Sequence, residues 1–165
     1  VADHLAARVG SPPGARVIES DRLRKALHGV TAETHLPDAA YRPEVSVRVY
    51  AEMAERTAQI LRQGGSVVVD AVFDDPARRD MIERAATGTA GFCGIWLDAD
   101  QALLHRRVEA RRGGSSDANV NVLAHQLAHQ VEEDAGEHVA WKHLDASLPL
   151  DALVERIVRL SEGRA

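Results

Sequence analysis

The sequence predicts an α/β protein, a mainly parallel sheet with helices on both faces, and three observations carry that prediction. Short apolar β-type runs alternate with amphipathic stretches of helical period along the whole chain. Pro, Gly and capping residues separate them, so the elements are discrete and the connections short. Four strand-to-helix passages each carry an aspartate, Asp21, Asp70, Asp98 and Asp145, and in a parallel sheet those ends share one edge. At 165 residues the chain suits one domain with its own core and is short for two. It is therefore expected to be a single domain over residues 1–165.

The elements follow in order. Residues 2–9 read as the end of a helix, stopped by Gly10 and the turn Ser11-Pro12-Pro13-Gly14. Residues 16–19 form a short strand, and Ser20 or Asp21 is placed to cap a helix that Gly29 ends. Residues 30–42 contain Pro37 and little periodicity, which predicts a loop with at most one helical turn. Pro43 opens a long helix in which Val45, Val49, Met53, Thr57 and Ile60 or Leu61 recur on one face, and Gly64-Gly65 closes it.

Residues 66–69 make an apolar strand ending at Asp70, and Asp75-Pro76 starts the helix over 77–86. A strand over 92–97 ends at Asp98, and a helix from about Asp100 carries Leu103, Leu104 and Val108 into an arginine-rich segment. Gly113-Gly114-Ser115-Ser116 breaks it, and Asp117 can cap another helix to about Glu133. A strand over 141–144 ends at Asp145, and Pro149 opens a closing helix with Leu150, Leu153, Ile157 and Leu160 toward the core.

Composition limits the chemistry. A formal net charge of -5 gives no general surface for nucleic acid or acidic membranes. Lys25 and Lys142 are the only lysines among the 20 basic residues, a bias that fits bidentate phosphate contacts and equally a GC-rich genome. Cys93 is the only cysteine, which excludes an internal disulfide and cysteine-cluster metal sites. No apolar run approaches the roughly 20 residues of a membrane span, and the start has no signal character, so cytoplasmic residence is the expectation. The start without methionine suggests a fragment.

Four groups of residues are candidates for chemistry. Asp70 follows Val67-Val68-Val69, the arrangement in which a carboxylate reaches a Mg²⁺ ion beside nucleotide phosphates. Many buried strands also end in Asp. Asp21 and Arg24, three apart in the first helical turn, can take a hydroxyl proton and hold a substrate anion, or form a plain surface ion pair. Arg107 and Arg111 lie four apart, with Arg106 and Arg112 beside them. Such a cluster can be a mobile lid over a transferring phosphoryl group or a solvated basic face at a helix C-terminus. Asp98 and Asp145 read as helix caps, and His125 with His129 reads as a polar helix face, since Glu132 and Glu133 one turn on make neither an HExxH pattern nor a convincing third ligand.

Taken in order, these pieces resemble one family. Glu19-Ser20-Asp21-Arg22-Leu23-Arg24-Lys25 is followed by Gly29-Val30, Leu36-Pro37 and Tyr41-Arg42-Pro43-Glu44-Val45. Then come Val67-Val68-Val69-Asp70-Ala71-Val72-Phe73 with Pro76 and Arg79, Trp96-Leu97-Asp98-Ala99, Arg107 to Arg112, and Ser116-Asp117-Ala118. The series resembles the AAA_33-type P-loop kinase-like domains, which occur alone or as the ATP-binding half of aminoglycoside phosphotransferase/ATP-binding fusions. The resemblance implies a P-loop NTPase-like three-layer α/β/α fold, similar to polynucleotide kinase, zeta-toxin and small-molecule kinases, with ATP and Mg²⁺ as cofactors. It implies Asp21 as base or substrate-orienting carboxylate, Arg24 as its anion-binding partner and Asp70 as the Mg²⁺ residue. Arg107, Arg111 and Arg112 become a nucleotide-binding lid within about 105–118. The implied partners are a nucleotide, a small-molecule or nucleic-acid-end acceptor, and an attached phosphotransferase domain.

The sequence departs from the family at one place. No Gly-x-x-x-x-Gly-Lys-Ser/Thr loop occurs in the 165 residues. Family members order their strands 2-3-1-4-5, so the first, central strand and the phosphate loop are both expected to be missing from this chain. The function implied is an ATP- and Mg²⁺-dependent phosphotransferase acting on a hydroxyl, impaired here for want of the loop. The alternative is an ATP-binding regulatory module, or a non-catalytic remnant of a larger enzyme.

Overall fold

Parallel pairing organises the chain in two places. A computed structural model describes residues 1–110 and 141–163. The described residues cluster into two units, 1–92 and 93–163, and each builds one two-stranded parallel sheet. Among the described residues no ladder joins the two pairs.

In the first unit, β1 (Arg16–Glu19) and β2 (Val67–Asp70) run parallel, with Ile18 opposite Val69 and Glu19 opposite Asp70. Helix α1 (Ala2–Ala6) precedes β1, and the chain returns tightly between them. Ala15 donates its amide to the Ala6 carbonyl at 2.8 Å. Gly14 has φ +111°, and a Cβ there would lie 2.4 Å from that carbonyl oxygen, so only glycine fits. Helix α2 (Ser20–Leu27) follows β1 without a break. The expected cap at Ser20 or Asp21 is one position late: Glu19, the last strand residue, is the N-cap, and no side chain caps it. Asp21 instead sits in the first turn, where the helix dipole favours a carboxylate.

The loop contains one 3₁₀ turn, Asp38–Tyr41, and Pro43 then opens α3 (Pro43–Arg62), because its fixed φ suits a helix start and its missing N–H is not needed there. Val49 and Met53 are 0% exposed, and Thr57 is buried on the same stripe. Each such apolar side chain contributes roughly 1.5–3 kcal/mol on burial. Helix α3 packs on α2, β2 and α4 (Pro76–Ala86), so it is the spine of the unit. Asp75 caps α4 as the sequence predicts, accepting the Ala77 amide at 2.8 Å.

In the second unit, β3 (Gly94–Asp98) and β4 (Trp141–Asp145) pair in parallel, with Asp98 opposite Asp145. Gly94 is buried against the Trp141 indole. Asp100 accepts the Leu103 amide at 2.7 Å and so caps α5 (Gln101–Ala110). Helix α6 (Leu150–Ser161) buries Leu153, Val154 and Ile157. Leu150, expected in the core, is in the first turn and stays 38% exposed, whereas Val154 is buried one turn on. The helix expected from Asp117 lies outside the described residues, as do Arg111, Arg112, His125 and His129. Among the described residues no helix is long and apolar enough to cross a membrane.

Candidate functional site

Register brings the acids of the first unit together. Glu19 and Asp70 face each other at the carboxyl ends of β1 and β2, and Asp21 follows two residues later in α2. Asp70 keeps solvent-exposed surface, yet its pKa is raised, first because the carboxyl is partly withdrawn from water and then because Glu19 repels its charge. Asp21 adds to the same repulsion, so the two expected site carboxylates share one electrostatic neighbourhood. Arg22, one residue past Asp21, turns to Glu19 instead, with Nε 2.5 Å from Oε2.

Arg24 is placed differently from its companion on the helix. Its side chain runs into the fold and is 5% exposed, while Asp21 is half-buried. One terminal nitrogen donates to the Ala40 carbonyl at 2.8 Å and the other to the Ser46 hydroxyl at 3.3 Å. The guanidinium also lies 4.9 Å from the Tyr41 ring centroid, and its Nε is buried without a hydrogen-bond partner. Arg24 thus pins the 3₁₀ turn and the first turn of α3 to α2. The neighbouring Lys25, 1% exposed, donates to the Ala32 carbonyl at 2.8 Å and holds the same loop further back.

The segment after Asp70 is fastened from two helices. The Tyr50 hydroxyl on α3 donates to the Val72 carbonyl. Its ring meets Phe73 edge-on, with centroids 5.7 Å apart and planes at 71°. Arg79 on α4, 7% exposed, donates from one nitrogen to the Phe73 carbonyl and to the Asp74 carbonyl at 3.0 Å. Arg78 bonds the Asp74 carboxylate at 2.7 Å and sets its guanidinium 4.6 Å from the Tyr50 ring centroid. Burial pushes the Tyr50 phenol up to about 12, so it stays protonated and remains a donor.

The second unit holds the other pair of acids. Asp98, expected to cap a helix, approaches His143 Nδ1 at 2.8 Å instead. Asp145 closes a turn by accepting the Ser147 amide at 2.7 Å, and the Ser147 hydrogen bonds hold its carboxyl below the ordinary range. Arg107, the described member of the expected lid, donates to the Ala146 carbonyl at 2.8 Å, just past that turn.

Carboxylate oxygens are hard ligands that suit Mg²⁺. Among the described residues, no group of three or more His, Cys, Asp or Glu side chains could hold a metal ion. The paired strand ends Glu19 and Asp70 offer at most two carboxylates, a donor set compatible with Mg²⁺ only where water and phosphate oxygens complete its shell. Sequence reasoning missed Glu19 as the register partner of Asp70. Its signal was present, because the strand ends placed side by side already set the two acids level. Tyr50 and Arg78 gave no signal, since an aromatic beside an apolar stripe and an arginine early in a helix are both commonplace.

The family model described as an AAA domain, AAA_33, matches residues 3–133. Uncharacterized proteins of Mycobacterium tuberculosis and Mycobacterium bovis are each 31% identical over 140 residues, which is 82% of this chain and 28% of the relative. The chain thus spans well under a third of the length of these curated relatives. Among solved structures, a gluconokinase from Sinorhizobium meliloti is similar in fold, with a TM-score of 0.57 and 24% identity over 90% of this chain and 80% of that one. The likeness places the chain with the P-loop kinase fold.

Proposed function

We propose, from the premise that this chain belongs to the AAA_33 family, a kinase-like P-loop nucleotide-binding domain, that it supplies the acceptor and metal side of a phosphotransferase. The observation that carries the reading is the meeting of Glu19, Asp70 and Asp21 at the carboxyl ends of two parallel strands. That edge is where open α/β sheets bind ligands. Asp21 is the base: it receives the proton of an acceptor hydroxyl as the oxygen bonds to the γ-phosphorus of ATP and the bond to ADP breaks. Asp70, with Glu19 beside it, would hold Mg²⁺. When bound, that ion draws charge from the phosphate oxygens. Arg24 keeps the acceptor wall in place through Ala40 and Ser46, and the family resemblance gives it the acceptor anion as well. Arg107, Arg111 and Arg112 take the nucleotide-side role. The acceptor is a hydroxyl of a small molecule or a nucleic-acid end.

No phosphate-cradling Gly-x-x-x-x-Gly-Lys-Ser/Thr lies in the 165 residues, so the isolated chain should bind ATP weakly or not at all. A second reading is a nucleotide-sensing module of a larger enzyme, since the matched stretch is 28% of its curated relatives. The substitution Asp21→Asn separates the two in the full-length protein. Loss of acceptor phosphorylation with ATP binding intact supports the phosphotransferase, and unchanged behaviour supports the sensor.

A further inference from the structure

Three consecutive carbonyls after Asp70 are each held by a side chain. Val72 is held by Tyr50, and Phe73 and Asp74 by Arg79. Backbone carbonyls in a connecting loop ordinarily bond water or one another. Here the donors come from two helices that pack against each other, and the Asp74 side chain is fixed as well by Arg78. Phe73 is 7% exposed and anchors the middle of the segment, whereas the Val72 side chain points out at 45% exposed. The backbone is therefore fixed while a side chain is left presented at the strand edge.

We infer that Tyr50 and Arg79 are positioning residues for the phosphotransfer site, setting through the 71–75 segment where the Asp70 carboxylate meets the metal. The inference rests on the phosphotransferase reading. Asp70 is the last residue of β2, so its backbone is fixed by the β1 ladder on one side and by this segment on the other. A carboxylate that binds a metal with only one or two protein ligands depends heavily on such support, because few other bonds fix its place. Tyr50 can supply it without titrating, and the phenol makes a hydrogen bond that a phenylalanine cannot make.

The test uses the full-length protein and Mg·ATP. Rates of ADP formation are measured against Mg²⁺ concentration for the wild type, Tyr50→Phe, Arg79→Lys and a control, Val47→Ala, at a surface position 62% exposed. Tyr50→Phe keeps the ring against Phe73 and Arg78 and removes only the hydroxyl. It should raise the half-saturating Mg²⁺ concentration about tenfold, with kcat recovered at saturating Mg²⁺. Arg79→Lys, which keeps one charged donor, should shift it in the same direction by less, and Val47→Ala should match the wild type. An unchanged Mg²⁺ dependence in both loop variants overturns the inference, as does a fall in kcat and melting temperature that Mg²⁺ does not restore. A wild type that turns over no Mg·ATP overturns the phosphotransferase reading itself, and the inference with it.

Discussion

Arg24 provides the sharpest energetic prediction, because its guanidinium joins three parts of the chain. Replacing it in Arg24→Met keeps much of the side-chain volume and removes both donors. The Ala40 carbonyl, in a residue 1% exposed, then loses its 2.8 Å partner, and Ser46, 8% exposed, loses its 3.3 Å partner. A buried acceptor left without a donor costs about 1–3 kcal/mol. The contact with Tyr41 adds about 0.5–1 kcal/mol, at the low end because that ring is 37% exposed. Against this, removing a buried charge returns part of its desolvation penalty, and the buried Nε without a partner is relieved too. The net loss is about 2–3 kcal/mol, or roughly 5–10 °C in melting temperature for a chain of this size. Urea denaturation of Arg24→Met beside Arg22→Met is the assay. Arg22 lies on the same helix with its side chain 62% exposed in an i,i+3 ion pair, and its loss should cost less than about 1 kcal/mol. Equal midpoints for the two variants would refute the buried-strut role. A stable Arg24→Met protein with a raised KM for an anionic acceptor would return Arg24 to the anion-binding role the family resemblance implies.

Two further perturbations test other parts of the structure. Asp70 has a folded-state pKa above its unfolded value, so its contribution to stability is fully present below the unfolded pKa and lost as pH rises through the folded one. Asp70→Asn in metal-free buffer should therefore raise the melting temperature at neutral pH, and the gain should vanish as pH falls below the ordinary carboxylate range; a pH-independent difference contradicts the assignment. In the second unit, a Cβ on Gly94 would lie 2.5 Å from the Trp141 indole, a side chain that itself belongs to the paired strand. Gly94→Ala should cost about 1–3 kcal/mol and shift the tryptophan fluorescence, and an unperturbed spectrum would count against the packing described.

Much of the fold was legible because local chemistry marks its own boundaries. Pro43 and Gly64 bound the long helix, Asp75-Pro76 starts the next, and the β-branched run 67–69 can only be a strand at that length. The acids at the strand ends were legible for the same reason. What the sequence hid depends on contacts across many residues. Arg24 reads as a surface partner of Asp21 at i,i+3, and only the approach of Ala40 and Ser46, 16 and 22 positions away, turns it inward. Tyr50 and Arg79 converge on the 71–75 segment by the packing of α3 on α4, which no periodicity encodes. The exchange of Leu150 for Val154 is of the same kind, since helical spacing gives a face but not how far along it the covering surface extends.

On the proposed reading, this edge transfers a phosphoryl group to a hydroxyl. The direct measurement is to incubate the full-length protein with Mg·ATP labelled at the γ-phosphate, offering gluconate, other polyols and sugars, and a 5′-hydroxyl oligonucleotide, and to follow the label. A phosphotransferase puts the label in an organic acceptor, and Asp21→Asn abolishes this while ATP binding persists. Label released only as inorganic phosphate, or transferred equally well by Asp21→Asn, would contradict it.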